Sequence, residues 1–333
     1  MLKPVVGGLL GAAMAVSGAL AADDFKPAVV FDLGGKFDKS FNEGVWNGVK
    51  RFMDETGVDV LEFEVTNEAQ REQAMTRMAQ RGATIILGVG FSQADAIDKV
   101  AQEFPDTEFA IIDVSWLDQP NLRQYAFKEH EGSYLVGIAA AEASETGTVG
   151  FVGGMDVPLI RKFACGYVQG VKAANPDATV LQNMTGTTPT AWNDPTKGAE
   201  LTRSQIDRGA DVVYHAAGGT GLGVIRAAAD QGKLAIGVDS DQHAVAPGAV
   251  LTSMLKRVDN AAYDTFMDAM NGEFTSGVQI LGLAEEGVDY VADENNAALL
   301  TEEMRSAIEA AKAKIIAGEI EVHNYESDSS CPI

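Results

Sequence analysis

The feature that most constrains the fold of this chain is an internal repeat. The run from Gly44 to Lys50, Gly-Val-Trp-Asn-Gly-Val-Lys, recurs from Gly166 to Lys172 as Gly-Tyr-Val-Gln-Gly-Val-Lys. A second pair of matching runs, Arg81-Gly-Ala and Arg208-Gly-Ala, leads into an apolar stretch in each half. The shared spacing indicates two copies of a unit of about 120 residues, a period too long for a solenoid.

Within each copy, apolar runs that favour strands alternate with patterns that favour helices. Ala28 to Asp32 is typical of a buried strand, and Ser40 to Glu55 of a helix that opens on a Ser-x-x-Glu capping box. This alternation predicts an α/β protein with mostly parallel sheets covered by helices. Since ligands of such sheets bind at the carboxyl ends of the strands, two Rossmann-like lobes would share a central ligand cleft beside a hinge.

The first residues are typical of a cleaved signal peptide. Lys3 precedes an apolar run over 5–20 that is rich in small residues, and an Ala-rich exit over 19–22 follows. The run is short for a membrane span. Because this stretch contains no Cys, we expect a periplasmic protein without a lipid anchor. The predicted organisation is a signal peptide over 1–22, a first lobe over 23–138 plus about 255–285, and a second lobe over 139–254 plus about 286–333.

Composition excludes several classes of partner. The formal net charge is −23, with only 25 Lys and Arg, so the chain should bind neither nucleic acid nor phosphorylated ligands. The four His form no Cys/His cluster, which argues against a metal site, and we expect no cofactor. Cys165 and Cys331 either form a disulfide or remain separate thiols, and the sequence leaves both open.

Polar residues that suit a planar, hydrogen-bonding ligand stand where the first-half strands end. Asp32 is followed by two glycines that permit a close approach of the backbone, and Phe41 and Asn42 fall in the first turn of the next helix. Asp113 ends another apolar run. An aromatic face beside an amide and carboxylates would hold a nucleobase.

The second half supplies a matching set. Tyr214 and His215 precede a glycine-rich turn over 218–223, whose backbone N–H groups are suited to bind oxygen. Asp239 follows the next strand, and a carboxylate there would accept hydrogen bonds from the paired hydroxyls of a ribose. Lys256 lies where the chain crosses the hinge again and would donate to a hydroxyl or pair with Asp239.

An NAD-dependent enzyme is the alternative that the glycine-rich turn raises. Gly219-x-Gly221-x-Gly223, followed by Asp239, resembles a dinucleotide-binding loop. However, the spacing differs from G-x-G-x-x-G, and neither a G-x-S-x-G elbow nor a phosphate-cradling loop accompanies it. We therefore expect a binding protein and no enzymatic activity.

Several long motifs, in order, resemble the basic membrane protein family of ABC-importer substrate-binding proteins, which includes purine nucleoside receptors. They are Asp38-Lys-Ser-Phe-Asn42, Phe127-Lys-Glu-His-Glu-Gly-Ser-Tyr-Leu-Val-Gly137, Trp192-Asn-Asp-Pro-Thr-Lys-Gly198, Gly237-Val-Asp-Ser-Asp-Gln242 and Leu251-Thr-Ser-Met-Leu-Lys256. The resemblance implies a type I periplasmic-binding-protein fold and an ABC permease as partner. The ligand it implies is small and neutral, above all a purine nucleoside such as adenosine, guanosine or inosine. A sensory binding protein for a different small polar ligand is the alternative within this fold.

The resemblance also implies roles for individual residues. Stacking on the base falls to Phe41, and a second ring falls to Tyr214 or His215, with His215 preferred. Trp192 either lines the cleft from the second lobe or fills the core, and the core is preferred. The remaining positions divide between hydrogen bonds to the base, from Asp32, Asn42 and Asp113, and contacts to the ribose, from Gly221, Asp239 and Lys256.

Overall fold

The computed structural model describes residues 25–332. The predicted signal peptide over 1–22 lies outside the described residues. No helix within residues 25–332 combines the length and apolar character needed to cross a membrane.

The described chain alternates strands and helices from end to end. The strands are β1 Pro27–Phe31, β2 Leu61–Glu64, β3 Ile85–Gly88, β4 Glu108–Ile112, β5 Leu122–Phe127, β6 Thr148–Met155, β7 Thr179–Gly186, β8 Val212–Ala216, β9 Leu234–Asp239, β10 Val250–Lys256, β11 Gly277–Leu281 and β12 Val288–Tyr290. The α-helices are α1 Phe41–Thr56, α2 Gln70–Gln80, α3 Ala94–Glu103, α4 Glu129–Ala143, α5 Pro158–Ala174, α6 Pro195–Asp207, α7 Gly221–Asp230, α8 Val258–Asn271 and α9 Glu302–Ile316.

These strands form two six-stranded sheets with equivalent topology. The first has the order β11-β5-β4-β3-β1-β2 and the second β12-β10-β9-β8-β6-β7. Every pair is parallel except that of β10 with β12. The central strands β1, β3 and β8 are buried along their whole length, as expected for parallel sheets covered on both faces. The predicted two-lobed α/β fold is confirmed, and each sheet with its helices is called a lobe below.

Two helices, called crossover helices below, do not pack on the lobe that contains the strand before them but on the other lobe. The helix α4 follows β5 of the first sheet but packs against α5 and β10 of the second lobe. The helix α8 follows β10 of the second sheet and packs against α1, β3 and β4 of the first lobe. The predicted end of the first segment, at 138, therefore falls inside a helix of the second lobe, and the chain crosses at Lys128, before that helix begins.

The repeated glycines explain this exchange of helices. A Cβ added at Gly48 of α1 would lie 2.0 Å from the carbonyl oxygen of Asp259 in α8. A Cβ added at Gly170 of α5 would lie 2.0 Å from the carbonyl oxygen of Tyr134 in α4. The repeated Gly-containing motif is thus the place where α1 contacts α8 and where α5 contacts α4, backbone against backbone.

The C-terminal segment is fastened to the second lobe. Cys165 of α5 and Cys331 form a disulfide with a Cα–Cα distance of 5.6 Å, which settles the choice that the sequence left open. Nearby, the side chain of Gln169 donates to the carbonyl oxygen of His323 at 3.0 Å and accepts from its N–H at 2.8 Å. The last residues therefore lie along α5.

We predict that Gly48→Ala and Gly170→Ala each lower the free energy of unfolding by about 1–3 kcal/mol, because the added methyl group overpacks a backbone contact. Chemical denaturation monitored by circular dichroism measures this. Asn47→Ala, at an exposed position of α1, is the control and should change stability by less than about 0.5 kcal/mol. Wild-type stability in both glycine variants would contradict the proposed role of the repeat.

Candidate functional site

A cavity lies where the carboxyl ends of the two sheets meet. It contains about 650 Å³ of space, part of it open to solvent, and residues of both lobes line it. Six of the predicted site residues are among them, namely Asp32, Phe41, Asn42, Asp113, Asp239 and Lys256.

Lys256, the last residue of β10, contributes a buried ammonium group to the cavity lining. Its Nζ lies 2.6 Å from Oδ1 of Asp113 and 2.9 Å from Oε1 of Glu129. All three side chains are at most 6% exposed. Burial alone would lower the pKa of Lys256, but Asp113, Glu129 and Asp239 outweigh it and hold that pKa above its usual value. The lysine is therefore charged in this site.

Aromatic rings enclose the same ammonium group. Nζ of Lys256 lies 5.1 Å from the ring centroids of Phe41 and Phe127 and 5.6 Å from that of Phe163, within the range of cation–π attraction. Phe163 was missed as a site residue. The repeat carried the signal, since Phe163 precedes Gly170 by the same seven residues that separate Phe41 from Gly48.

Two acids occupy equivalent positions in the two lobes. Asp113 directly follows β4, and Asp239 ends β9, the corresponding strand of the second sheet. Both have left-handed backbone conformations, with φ of 68° and 67°, which are rare outside glycine and occur at functional sites. Burial raises the pKa of both carboxyl groups, that of Asp239 to about 7. The second lobe therefore presents an acid whose charge changes near neutral pH.

The first turn of α1 is organised by Asp38 and not by the predicted capping box. The Asp38 carboxylate accepts from the backbone N–H groups of Ser40, Asn42 and Glu43 at 2.9–3.1 Å. The Ser40 hydroxyl makes no cap and instead donates to Asp239 of the other lobe. Asp38 lines the cavity and was not predicted as a site residue.

Two polar side chains of the cavity lining, Asn42 and Asp32, differ in how much of their hydrogen-bonding capacity is already used. The side chain of Asn42 donates to Asp38 at 3.2 Å, while its buried Oδ1 has no hydrogen-bond partner among the described residues. Asp32 is held by Arg71, whose Nε and terminal nitrogen donate to Oδ1 at 3.2 and 3.0 Å, and by the Ser92 hydroxyl. Asn42 therefore offers an unused acceptor beside a fixed carboxylate.

Two further aromatic residues complete the wall. Phe91 of the first lobe and Trp192 of the second both line the cavity. Trp192 was expected in the core, but it is only half-buried. Gly154 leaves room for its indole, since a Cβ added at Gly154 would lie 2.2 Å from the ring.

Neither candidate for the second stacking ring reaches the cavity. His215 is fully buried inside β8, with Nε2 2.8 Å from Oε1 of Gln242, and burial lowers its pKa to about 4. Tyr214 is fully buried in the core, where its ring packs against that of Phe151. Gly221 also lies outside the lining, and a Cβ added there would lie 2.0 Å from the imidazole of His215.

Solved and curated proteins resemble this chain along most of its length. The "CD4+ T-cell-stimulating antigen" of Listeria monocytogenes is 33% identical over 91% of this chain and 89% of its own. The "ABC transporter nucleoside-binding protein BmpA" of Lactococcus lactis is 32% identical over 90% and 89%. The crystal structure of an ABC transporter system solute-binding protein from Aeropyrum pernix aligns with a TM-score of 0.83 and 30% identity, over 90% of this chain and 93% of that one.

Relatives correct the prediction about anchoring. Proteins of Pyrococcus abyssi and Pyrococcus horikoshii, each 32% identical over 87% of this chain and 74% of their own, are named lipoproteins. These names contradict the expectation of a periplasmic protein without a lipid anchor, and we withdraw it. That expectation rested on residues outside the described part of the chain.

The family is identified over nearly the whole described chain. Residues 25–326 match the sequence model of one protein family, that of PnrA-like ABC transporter substrate-binding proteins. Proteins of this kind bind a small ligand and work with a membrane permease, and they are not enzymes. The solved relative has the fold that the sequence motifs implied. The chain belongs to the family of PnrA-like ABC transporter substrate-binding proteins.

Proposed function

We propose that this protein binds a purine nucleoside, such as adenosine, guanosine or inosine, in the cavity between its lobes and delivers it to an ABC permease. The observation that carries the proposal is the convergence of Lys256, Asp113 and Asp239 with Phe41 in one cavity. The name of the Lactococcus lactis relative, a nucleoside-binding protein, supports it.

The ribose is assigned to Asp239 and Lys256 of the cavity lining. A carboxylate accepts from two hydroxyl groups at once, and an ammonium group donates to their oxygens. Asp239 is buried and receives a hydrogen bond from Ser40. Hydroxyl donors of a bound ribose would stabilise its charged form further.

The base is assigned to Phe41, Asn42 and Asp32 of the same lining. The Phe41 ring offers a face for stacking, and the unpartnered Oδ1 of Asn42 accepts from a base N–H. The rings of Phe163 and Trp192 supply the aromatic contact from the second lobe that was first assigned to Tyr214 or His215.

The charges of the lining favour a neutral ligand. Among residues 25–332, Lys256 is the one basic residue that lines the cavity, and its ammonium group is already paired with Asp113 and Glu129. The carboxyl groups of Asp38 and Asp239 also line the cavity and would repel a phosphate. Nucleotides should therefore bind far more weakly than nucleosides.

Asp239→Asn should weaken nucleoside binding by about 1–3 kcal/mol, because a ribose hydroxyl then faces an amide that donates where a carboxylate accepted. Isothermal titration of ligand-stripped protein with adenosine, guanosine, inosine and AMP measures this. Asp241→Asn, at an exposed neighbouring acid, is the matched control and should leave affinity unchanged. Heat from AMP alone, or from none of the nucleosides, would refute the proposed ligand.

Phe41→Ala should weaken nucleoside binding by about 1–3 kcal/mol through lost base stacking. Phe37→Ala removes a phenylalanine that is 63% exposed and lies outside the cavity lining, so it serves as the control. The same titrations with free ribose separate stacking from general damage, since ribose has no base. Equal losses for ribose and nucleoside would argue against stacking on Phe41.

Nucleoside affinity should rise with pH between 6 and 8. The pKa of Asp239 in the unliganded protein is about 7, and ribose hydroxyls favour its charged form, so binding below pH 7 must release a proton. Titrations at pH 6 in buffers of different ionisation enthalpy would detect this proton. The dependence should vanish in Asp239→Asn, and a pH-independent wild type would rule out this ionisation.

A further inference from the structure

We propose that Glu326, in the C-terminal segment, is a positioning residue for Lys256 and acts on it through Lys162 and Glu129. The disulfide between Cys165 and Cys331 keeps Glu326 in place for this role. The proposal rests on the proposed function only in taking Lys256 as a ligand contact.

An unbroken series of alternating charges connects the segment to the cavity. Oε2 of Glu326 lies 2.7 Å from Nζ of Lys162, which lies 2.7 Å from Oε2 of Glu129. The other oxygen of Glu129, Oε1, lies 2.9 Å from Nζ of Lys256. Glu129 therefore divides its two oxygens between two lysines, and a change at either one alters its hold on the other.

Burial makes this series sensitive to the loss of a member. The side chains of Glu129, Lys162 and Lys256 are 0%, 5% and 2% exposed, whereas that of Glu326 is 37% exposed. Burial alone would raise the pKa of Glu129, but the two lysines outweigh it and lower that pKa to about 2. Charges held so far from water interact strongly, and removing one leaves its partner uncompensated.

The position of Glu326 is fixed from both sides. Before it, the backbone of His323 is hydrogen-bonded to Gln169 of α5. After it, Cys331 is bonded to Cys165, which stands one turn beyond Lys162 on the same helix. The segment thus holds a carboxylate against the buried Lys162 of α5.

Loss of this carboxylate should displace the ammonium group of Lys256. Without Glu326, Lys162 keeps Glu129 and the carbonyl oxygen of Phe127 at 3.1 Å as its partners. Glu129 would then be drawn toward Lys162 and away from Lys256. The Lys256 ammonium group would shift toward Asp113, its other partner, and leave the position from which it contacts a ligand.

Binding measurements on variants of the C-terminal segment test the role of Glu326. Glu326→Gln should weaken the binding of adenosine about 3- to 10-fold, in keeping with coupling through a network, and Glu326→Asp should restore part of the loss. Glu321→Gln changes an exposed acid of the same segment that makes no ion pair among the described residues, and it should have no effect. Cys331→Ser, which releases the segment, should act in the same direction as Glu326→Gln. Wild-type affinity in Glu326→Gln would overturn the proposal.

A second readout needs no ligand. In protein labelled with ¹³C at lysine Cε, the signal of Lys256 is assigned by its absence in Lys256→Arg, and the surrounding rings make it sensitive to displacement. It should shift in Glu326→Gln and Cys331→Ser but not in Glu321→Gln. An unmoved signal in the first two would overturn the positioning role. Should the wild type bind no nucleoside, the proposed function fails, and this signal still decides the role of Glu326.

Discussion

The structure depends on the burial of one ammonium group, that of Lys256. This residue ends the last strand before the chain crosses from the second lobe into the first, and its partners are Asp113 of the first lobe and Glu129 of a crossover helix. A buried lysine without such partners would be strongly destabilising. Asp113 and Glu129 must therefore both stay within reach of Nζ of Lys256. This requirement places the cavity where the chain crosses between the lobes.

Residues around Lys256 occupy equivalent positions in the two copies of the repeat, whereas Lys256 and its own counterpart differ in type. Asp113 and Asp239 end equivalent strands, and Phe41 and Phe163 occupy equivalent positions of the repeat. By the order of the elements, Lys256 at the end of β10 corresponds to Phe127 at the end of β5. One copy thus supplies the cation and the other a ring that packs against it. Although the fold is built from two similar halves, the buried ammonium group of Lys256 therefore comes from the second copy alone.

The sequence predicted what depends on local pattern and on the repeat. Strand ends of a parallel sheet meet at one edge, so Asp32, Asp113 and Asp239 were recognised as neighbours from their place in the chain. The hydrogen bonds that join residues of different lobes could not be predicted in this way. Ser40 matches a capping box, but Asp38 takes the helix N–H groups and the hydroxyl contacts the opposite lobe. His215 is enclosed within β8, whereas Ala216, which ends that strand, and the turn that follows it line the cavity.

The contacts that join the lobes involve the same residues that face the cavity. Gln242 donates to the carbonyl oxygen of Lys39 at 2.8 Å, and Ser40 donates to Asp239. A ligand hydroxyl that reaches Asp239 meets a carboxylate that already accepts from the opposite lobe. Under the proposed function, ligand binding and contact between the lobes would therefore act on the same acid, and each would change the free energy of the other.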